Sequence, residues 1–260
     1  MQWTNRAGRE ALAETCLSLA DLADTLTAEE WRLPTGCPGW TVFDQVAHVV
    51  SLESAMAGVE QPPHTAPQAE HVRNSIGRRM EDLVDARRGW PPERVVSELR
   101  DTVRLRQGQL AALDDDPGAL GVGPTGKPMP LADHLRMRIF DCLAHELDVR
   151  RAVGRPGGLD GAAASVVATD VPGLLPRPWA AVEGVDATVA VDVDGGRSLV
   201  RVAGADTGPG EGAPDVVLSM ALGTLLALAT GRTDADPSAV AISGDEATGR
   251  RLVASMALTP

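Results

Sequence analysis

The feature that most constrains the fold is a change of hydrophobic period near residue 160. Upstream of it, apolar residues recur at helical spacing, and the longest such segment covers residues 131–153. The run Gly154-Arg155-Pro156-Gly157-Gly158 then ends that helix. Downstream, short apolar segments lie between glycine-rich turns, as they do in strands. The sequence therefore predicts a helical domain over residues 1–157 and a small α+β domain over residues 158–260.

The helical half is predicted to form a four-helix bundle. Helical periodicity recurs from Thr41 onward and over residues 6–26, 72–86, 92–113 and 131–153. Four main helices can bury their apolar faces against one another, and sites in such bundles lie between facing helices. The acidic run 114–118 is expected to end one helix, and the Gly- and Pro-rich segment 121–130 is expected to be a loop.

The second half carries strand signals. Residues 187–194 and 198–203 favour two strands joined by a hairpin turn at Gly195-Gly196-Arg197. Residues 215–218 and 239–242 favour two further strands, and helices are expected over 223–230 and 245–256. The segment 204–212 is expected to be a loop.

Composition excludes several classes of partner. The formal net charge is −12, and an acidic surface repels nucleic acid and anionic lipid, so neither is expected to bind.

The scattered cysteines, Cys16, Cys37 and Cys142, indicate buried free thiols in a reducing cytosol rather than disulfides or a thiolate zinc site. No signal peptide is evident, and the apolar stretch at 220–230 is too short to span a bilayer. We expect a soluble cytoplasmic protein, either a monomer or a homodimer.

A polar stripe runs along the segment 131–153. Its members are spaced by four, three, four and three residues: His134, Arg138, Asp141, His145 and Asp148. One interpretation is a solvated helix face. The mixture of imidazole, carboxylate and guanidinium groups suits a metal site better than a generic surface. Asp141 and His145 can point at the same spot, and a third ligand from another helix would leave one coordination position open.

His48 is a candidate ligand in a separate helix. This helix starts after Thr41, and Thr41 and Asp44 have the spacing of a capping box. The alternative interpretation is that His48 is a hydrogen-bonded residue at the boundary of the core, beside a stripe of valines. Spacing alone does not pair His48 with Asp141.

The segment that ends at His48 resembles a known motif. It reads Cys37-Pro38-Gly39-Trp40-Thr41-Val42-Phe43-Asp44-Gln45-Val46-Ala47-His48. This is similar to the Pro-Gly-Trp-Ser/Thr-Val-x-Asp-x-x-x-His pattern of the mycothiol-dependent maleylpyruvate isomerase family, which ends in a metal-binding histidine. The family's second motif is Glu-x-x-x-His followed by Asp and Arg, and it is matched by Asp141, His145, Asp148 and Arg150.

The resemblance implies an N-terminal DinB-like four-helix bundle, a small C-terminal α+β domain, and a divalent metal bound by His48, Asp141 and His145. Asp141 stands where the family usually has Glu, so its helix must sit closer to the metal or the metal must shift. Zinc is the first choice for this donor set, which also suits nickel, iron or manganese.

The resemblance also implies a thiol cofactor. The family uses mycothiol, whose thiolate form is stabilised by metal coordination. In the isomerase, addition of the thiolate to a cis double bond, rotation and elimination give the trans product. Related bundles transfer the thiol to an electrophile, and both reactions need the same ligands. The expected partners are a small-molecule substrate and a low-molecular-weight thiol.

Two more residues of the stripe are candidates for catalysis. Arg138 either binds a substrate carboxylate or pairs with Asp141 or Asp148. His134 is a spare ligand, a general base or a group that caps the helix start. Trp40 is expected to pack in the core beneath the motif turn.

Candidates also lie outside the two motifs. Arg78 and Arg79 form either a clamp for a carboxylate or part of a solvated face. Arg232 is expected, by analogy with the family, to reach a thiol pocket between the domains. His64 and His71 are expected to be exposed to solvent.

Two other functions stay open at this point. The protein could be a metal-dependent tailoring enzyme of a biosynthetic pathway that uses no thiol, or a non-catalytic metal-binding or ligand-binding protein. Thiol-dependent turnover distinguishes the first hypothesis from both alternatives, and turnover that is lost with a chelator but independent of thiol identifies the tailoring enzyme.

Overall fold

The computed structural model describes residues 3–113, 116, 118–123 and 126–258 of the 260-residue chain. Its contacts divide the chain into two compact units, Met1–Ala163 and Ala164–Pro260. The boundary expected from the sequence, between residues 157 and 158, lies just before this division. That the two units are independent domains stays a prediction, and each unit is described by itself below.

Five α-helices make up most of the described part of the first unit. They are α1 (Asn5–Ala23), α2 (Val42–Met56), α3 (Ser75–Asp85), α4 (Pro92–Ala111) and α5 (Leu131–Ala152). Helix α1 packs on α4 and α5, α2 also packs on α4 and α5, and the shorter α3 packs on α2. The arrangement of α1, α2, α4 and α5 confirms the predicted four-helix bundle, with α3 added to its side.

The bundle core consists of the apolar faces of these helices. Side chains from all four main helices are completely buried, among them Leu19, Val46, Val49, Leu99, Leu135 and Ile139. Full burial of each such side chain contributes about 1.5–3 kcal/mol, which is the main favourable term for the bundle. Within the described residues, none of the helices combines the length and the apolar character of a membrane span.

The segment between α4 and α5 differs from the expected loop. Strands β1 (Leu120–Val122) and β2 (Pro128–Pro130) form an antiparallel pair. Hydrogen bonds join Gly123 to Lys127 and Ala119 to Leu131, so both prolines of β2 occupy the alternate positions, which need no backbone donor. Residues 124 and 125 of this segment, and 114, 115 and 117 of the predicted helix stop, lie outside the described residues.

The second unit is built on a five-stranded sheet with the strand order β5-β4-β3-β6-β7. Its strands are β3 (Ala187–Val193), β4 (Gly196–Val202), β5 (Gly208–Pro209), β6 (Val216–Met220) and β7 (Ala241–Gly244). Strands β3 and β6 are parallel and the other neighbours are antiparallel. Helices α6 (Ala162–Asp170), α7 (Pro176–Trp179), α8 (Leu222–Ala229) and α9 (Glu246–Val253) complete the C-terminal part of the chain.

The turn between β3 and β4 is a two-residue hairpin. Asp194 and Gly195 both have positive φ values, 46° and 87°. Two positive φ values in succession match the twist of the paired strands, and an Asp-Gly pair adopts them readily. This confirms the predicted hairpin, although its turn is Asp194-Gly195, and Gly196 and Arg197 of the predicted turn belong to β4. The mixed fold confirms the predicted helical bundle followed by an α+β part. The expected loop over 204–212 is wrong in one detail, since it contains β5.

Candidate metal centre

The first motif of the sequence forms the start of α2. Gly39 has a φ of 77°, a conformation that favours glycine, and it turns the chain just before the helix. The Thr41 hydroxyl then accepts a hydrogen bond from the Asp44 amide, while the Asp44 carboxylate accepts one from the Thr41 amide. This is the predicted capping box. It sets where α2 begins and places His48 two turns into the helix.

His48 meets the two motif residues of α5. Its Nε2 lies 3.2 Å from Oδ2 of Asp141, and Nε2 of His145 lies 3.6 Å from Oδ1 of the same carboxylate. The two imidazole ring centres are 4.4 Å apart. One potential ligand atom from each of the three residues lies within 4.8 Å of the others. The structure therefore brings together the three residues that the sequence suggested as ligands.

The rest of the polar stripe on α5 is not a solvated face. His134, Arg138, His145 and Asp148 are buried, and Asp141 is partly buried. The neighbouring apolar residues of the same helix, such as Leu135 and Ile139, are also buried. Because both sets face the interior, the stripe requires partners inside the bundle.

The orientation of His145 is set by a hydrogen bond from the other side of its ring. Its Nδ1 contacts Oε1 of Gln45, and the Gln45 amide group donates to the Thr35 hydroxyl at 2.6 Å. An amide oxygen can only accept, so Nδ1 of His145 carries the proton. Its Nε2, which faces Asp141, keeps the lone pair that a metal needs.

Asp141 is held as a carboxylate by Arg138. The guanidinium donates to Oδ2 of Asp141 at 2.8 Å, to Glu53 at 2.6 Å and to the Cys142 sulfur at 3.5 Å. Burial raises the pKa of Asp141, but Arg138 and the two histidines outweigh it and hold that pKa well below its ordinary value. Of the two alternatives for Arg138, this geometry favours support of Asp141 over binding of a substrate carboxylate.

Glu53 is the buried centre of a charge network that sequence analysis missed. It lies on α2 and accepts from Arg138 and, at 3.2 Å, from Arg106 on α4. Burial raises the pKa of Glu53, but the two guanidinium groups reverse this effect and lower it. No local pattern marked this role, because the two partners of Glu53 come from α5 and α4, which are distant in the sequence.

His134 occupies the far end of this network. Its Nδ1 donates to the Val122 carbonyl at 2.7 Å, because a carbonyl can only accept, and its Nε2 lies 2.9 Å from the Arg106 guanidinium. Burial, followed by the charge of Arg106, lowers the pKa of His134 to about 4. Both ring nitrogens are therefore engaged in joining β1 to the bundle, which favours a structural role for His134 over a ligand or general base. This role is not the predicted capping of the helix start, where no side-chain cap hydrogen bond is formed.

The other predicted candidates have separate surroundings. Arg78 pairs with Asp82 on α3 and donates to the Pro67 carbonyl, and Arg79 is exposed. Arg232 belongs to the second unit, where it donates to the Thr230 carbonyl. A role of these arginines in binding a carboxylate or a thiol stays a prediction.

Two histidines outside the motifs were expected to be exposed. His64 is exposed and pairs with Asp85, as expected for a surface histidine. The expectation is wrong for His71, which is partly buried and lies 2.9 Å from Glu81. Its position is fixed by a buried carboxylate on α3 that the sequence pattern did not reveal.

The metal-free protein is expected to lose stability as the pH falls from about 6.5 towards 4. Burial is the main cause that lowers the pKa values of His48 and His134 to about 4, helped by the charges of His145 and Arg106 respectively. The unfolded chain takes up these protons near pH 6.5, whereas the folded protein resists them. Each histidine therefore removes up to about 3 kcal/mol across this window. Urea unfolding with a chelator present, from pH 7 to pH 4, measures the slope.

The contribution of His134 can be separated with the variant His134→Gln. A glutamine can donate to the Val122 carbonyl and accept from Arg106 without binding a proton. The slope of unfolding free energy against pH should then fall by about half, because only His48 remains of the two. An unchanged slope would show that His134 is not held neutral in the fold.

Comparison with known proteins places this geometry in a family. The family model of the mycothiol maleylpyruvate isomerase N-terminal domain matches residues 12–150, which is more than half of the chain. This segment includes His48, Asp141 and His145 and the whole buried charge network around Glu53.

Curated relatives are found in Mycobacterium tuberculosis. Two uncharacterized proteins, one each from strains CDC 1551 / Oshkosh and ATCC 25618 / H37Rv, are 26% identical over 130 residues. The match covers 50% of this chain and 49% of each relative. The chain thus spans about half the length of the curated relatives it matches.

Solved structures extend the likeness to most of the chain. A crystal structure of mycothiol-dependent maleylpyruvate isomerase superposes with a TM-score of 0.60 at 16% identity, and that of its histidine-to-alanine mutant with 0.62 at 14% identity. Each covers 93% of both chains, and at this identity the likeness shows a shared fold. With the family model matching residues 12–150, the chain belongs to the mycothiol maleylpyruvate isomerase N-terminal domain family.

Proposed function

We propose that this protein is a metal-dependent enzyme that uses mycothiol to act on a small electrophile, with cis–trans isomerisation of the maleylpyruvate type as its reaction. The observation that carries the proposal is the convergence of His48, Asp141 and His145 from two helices. The family of the chain and the fold of the solved isomerase structures support it.

The three residues fit a divalent metal by their chemistry. Two neutral imidazoles and one carboxylate are the donors of many catalytic zinc sites, which keep a further position for substrate or water. His145 offers Nε2 because its Nδ1 is bonded to Gln45, and Asp141 is ionised. A divalent cation bound here would supply Lewis acidity and favour the thiolate form of a coordinated thiol.

The surrounding residues position these donors. Gln45 fixes the ring of His145, and Arg138 keeps the Asp141 carboxylate ionised while orienting one of its oxygens. Aspartate is one methylene shorter than the glutamate usual in the family, so Asp141 reaches less far from α5. Its contacts with both imidazoles show that the shorter side chain still spans the gap between α2 and α5.

Whether the reaction is isomerisation or S-transfer depends on the electrophile. A thiolate that adds reversibly to an activated double bond gives isomerisation, whereas one that stays attached gives S-transfer. Both reactions draw on the same ligands, and isomerisation is preferred here because the solved structures of the same fold are of an isomerase.

The proposal is tested by turnover of maleylpyruvate. Purified protein is stripped with a chelator, reloaded with zinc and assayed with and without mycothiol, next to a panel of small electrophiles. We expect conversion only when both metal and mycothiol are present. Conversion that needs metal but not thiol would identify a tailoring enzyme, and an absence of any thiol-dependent turnover would rule out the proposed function.

A further inference from the structure

The two imidazoles of the candidate centre differ in how their rings are held. Metal-binding histidines usually donate their second ring nitrogen to a carbonyl, carboxylate or amide, which fixes the ring. His145 has such a partner in Gln45. Nδ1 of His48 is buried, and no protein group in the described part of the chain bonds to it. The contact of its Nε2 with Asp141 holds one side of the ring, and the other side has no hydrogen bond to hold it.

Trp40 supplies a further contact to the ring of His48. Its ring centre lies 5.1 Å from that of His48, with 43° between the ring planes, and 5.8 Å from that of His145. The indole is buried and forms one wall beside both imidazoles. Offset aromatic contacts at this distance are attractive and depend on ring orientation, so the indole restricts the rotation of His48.

The indole is itself anchored by a buried carboxylate. Its Nε1 donates to Oε2 of Glu81 at 2.9 Å, and Glu81 on α3 is only 2% exposed. The same carboxylate contacts Nε2 of His71 at 2.9 Å and accepts from Arg88 at 2.6 Å. A carboxylate held by this many partners cannot swing away from the indole without leaving buried groups unpaired.

The anchor is also joined to the start of α2. Arg88 donates to Oδ1 of Asp44 at 2.8 Å, and Asp44 completes the capping box with Thr41 at the start of the helix that carries His48. On the other side, the imidazole of His71 lies directly against Gly39, where an added Cβ would collide with it. The turn before Trp40 and the first turn of α2 are thus both held to Glu81.

We propose that Glu81 is a positioning residue for the metal centre, acting through Trp40. By holding the indole against His48, it does for that ring what Gln45 does for His145. This inference rests on the proposed metal site, and it assigns to α3, which contributes no ligand, a part in metal binding.

Four variants and one control test the inference by metal affinity rather than activity. Glu81→Met removes both acceptor oxygens, while Arg88 keeps Asp44 and Asp85 as partners. Trp40→Phe keeps a ring but removes the N–H donor. The double variant combines them, and Glu81→Gln restores one acceptor for the indole. The control, Asp82→Asn, changes a carboxylate next to Glu81 on α3 that bonds to the Ala66 amide.

The readouts are the Kd and the absorption spectrum of Co²⁺ titrated into the metal-free protein. We expect Glu81→Met and Trp40→Phe each to raise the Kd at least about tenfold, as changes beside metal ligands typically do. The double variant should lose no more affinity for Co²⁺ than the single variant that binds it less tightly, because both changes break the same connection. Glu81→Gln should recover part of the affinity and of the wild-type spectrum, and Asp82→Asn should leave both unchanged.

The failures of the two proposals are distinguishable. If the wild type binds Co²⁺ tightly but Trp40→Phe binds it equally well with the same spectrum, the inference about Glu81 is overturned and the metal site stands. Additive losses in the double variant would overturn it as well. If the wild type binds no metal, the proposed function falls together with the inference. Urea unfolding of each variant checks folding, and Trp40→Phe decides the matter if Glu81→Met does not fold.

Discussion

Replacing His145 by alanine is expected to lower the affinity for zinc by more than about 100-fold. Changes next to metal ligands typically cost ten- to hundredfold, and loss of one of three protein donors removes a coordinate bond as well. The loss should also be large because His48 and Asp141 would then be the two remaining donors of the cluster, and the position that His145 occupies beside Asp141 would be empty. Calorimetric titration of zinc into the metal-free protein measures it.

The matched control for this change is His64→Ala. His64 is a histidine of the same unit that pairs with Asp85 at the surface and has no contact with the cluster among the described residues. Its removal should leave the zinc affinity unchanged. Zinc at 100 times its Kd should also stabilise the wild type and His64→Ala by about 2.7 kcal/mol, and His145→Ala by much less. Zinc binding by His145→Ala as tight as that of the wild type would disprove the ligand assignment.

Replacing Glu53 by glutamine should destabilise the bundle by about 3–5 kcal/mol. Glu53 is 2% exposed and is the shared partner of the buried Arg138 and Arg106. Removing one member of a buried ion network leaves the opposite charges without compensation, which costs far more than the intact network contributes. Urea unfolding at neutral pH gives the change in free energy of unfolding.

An exposed ion pair on α1 offers the control for Glu53. Glu10 pairs with Arg6 one turn away, and both side chains are largely exposed. Glu10→Gln should cost about 0.5 kcal/mol or less, since solvent screens such pairs. If Glu53→Gln cost no more than Glu10→Gln, the buried network would have no role in stability.

Much of the fold could be predicted because it follows from local periodicity. Segment 131–153 became α5 almost residue for residue, and the Gly-Pro run after it ended the helix where expected. The loop expected over 121–130 was wrong because glycine and proline counts do not reveal register. Pro128 and Pro130 fall on the strand positions that need no amide donor, so a ladder forms despite them.

The candidate site could be predicted only in part. Asp141 and His145 are one turn apart on one helix, so helical geometry alone puts them on one face. His48 joined them through a motif resemblance, because its Asp141 contact spans 93 residues of sequence and no local rule reaches that far. The structure brings the three residues together, while their role as ligands stays a proposal.

The supporting residues could not be predicted for the same reason. Glu53, Arg106, Gln45 and Glu81 act through side chains that come from different helices, and each has an ordinary sequence surrounding. Arg138 was expected either to bind a substrate carboxylate or to pair with a neighbouring aspartate, and its hydrogen bonds to Asp141 and to Glu53 on α2 favour the second alternative. Buried polar groups have to be satisfied in three dimensions, which a one-dimensional pattern does not record.

The charges of the network around Glu53 affect which fourth ligand a metal in the candidate centre would favour. Arg106, Glu53, Arg138 and Asp141 are two cations and two anions that are joined in sequence through hydrogen bonds. The imidazole of His48 beside them is neutral at pH 7, because its pKa is about 4. These four side chains therefore carry no net charge between them, so a divalent cation bound beside them would keep both of its positive charges. A water molecule would supply a countercharge only after losing a proton, whereas a thiolate carries its negative charge already. With a divalent metal bound as proposed, the low-polarity interior would therefore favour an anionic fourth ligand such as a thiolate over a neutral one.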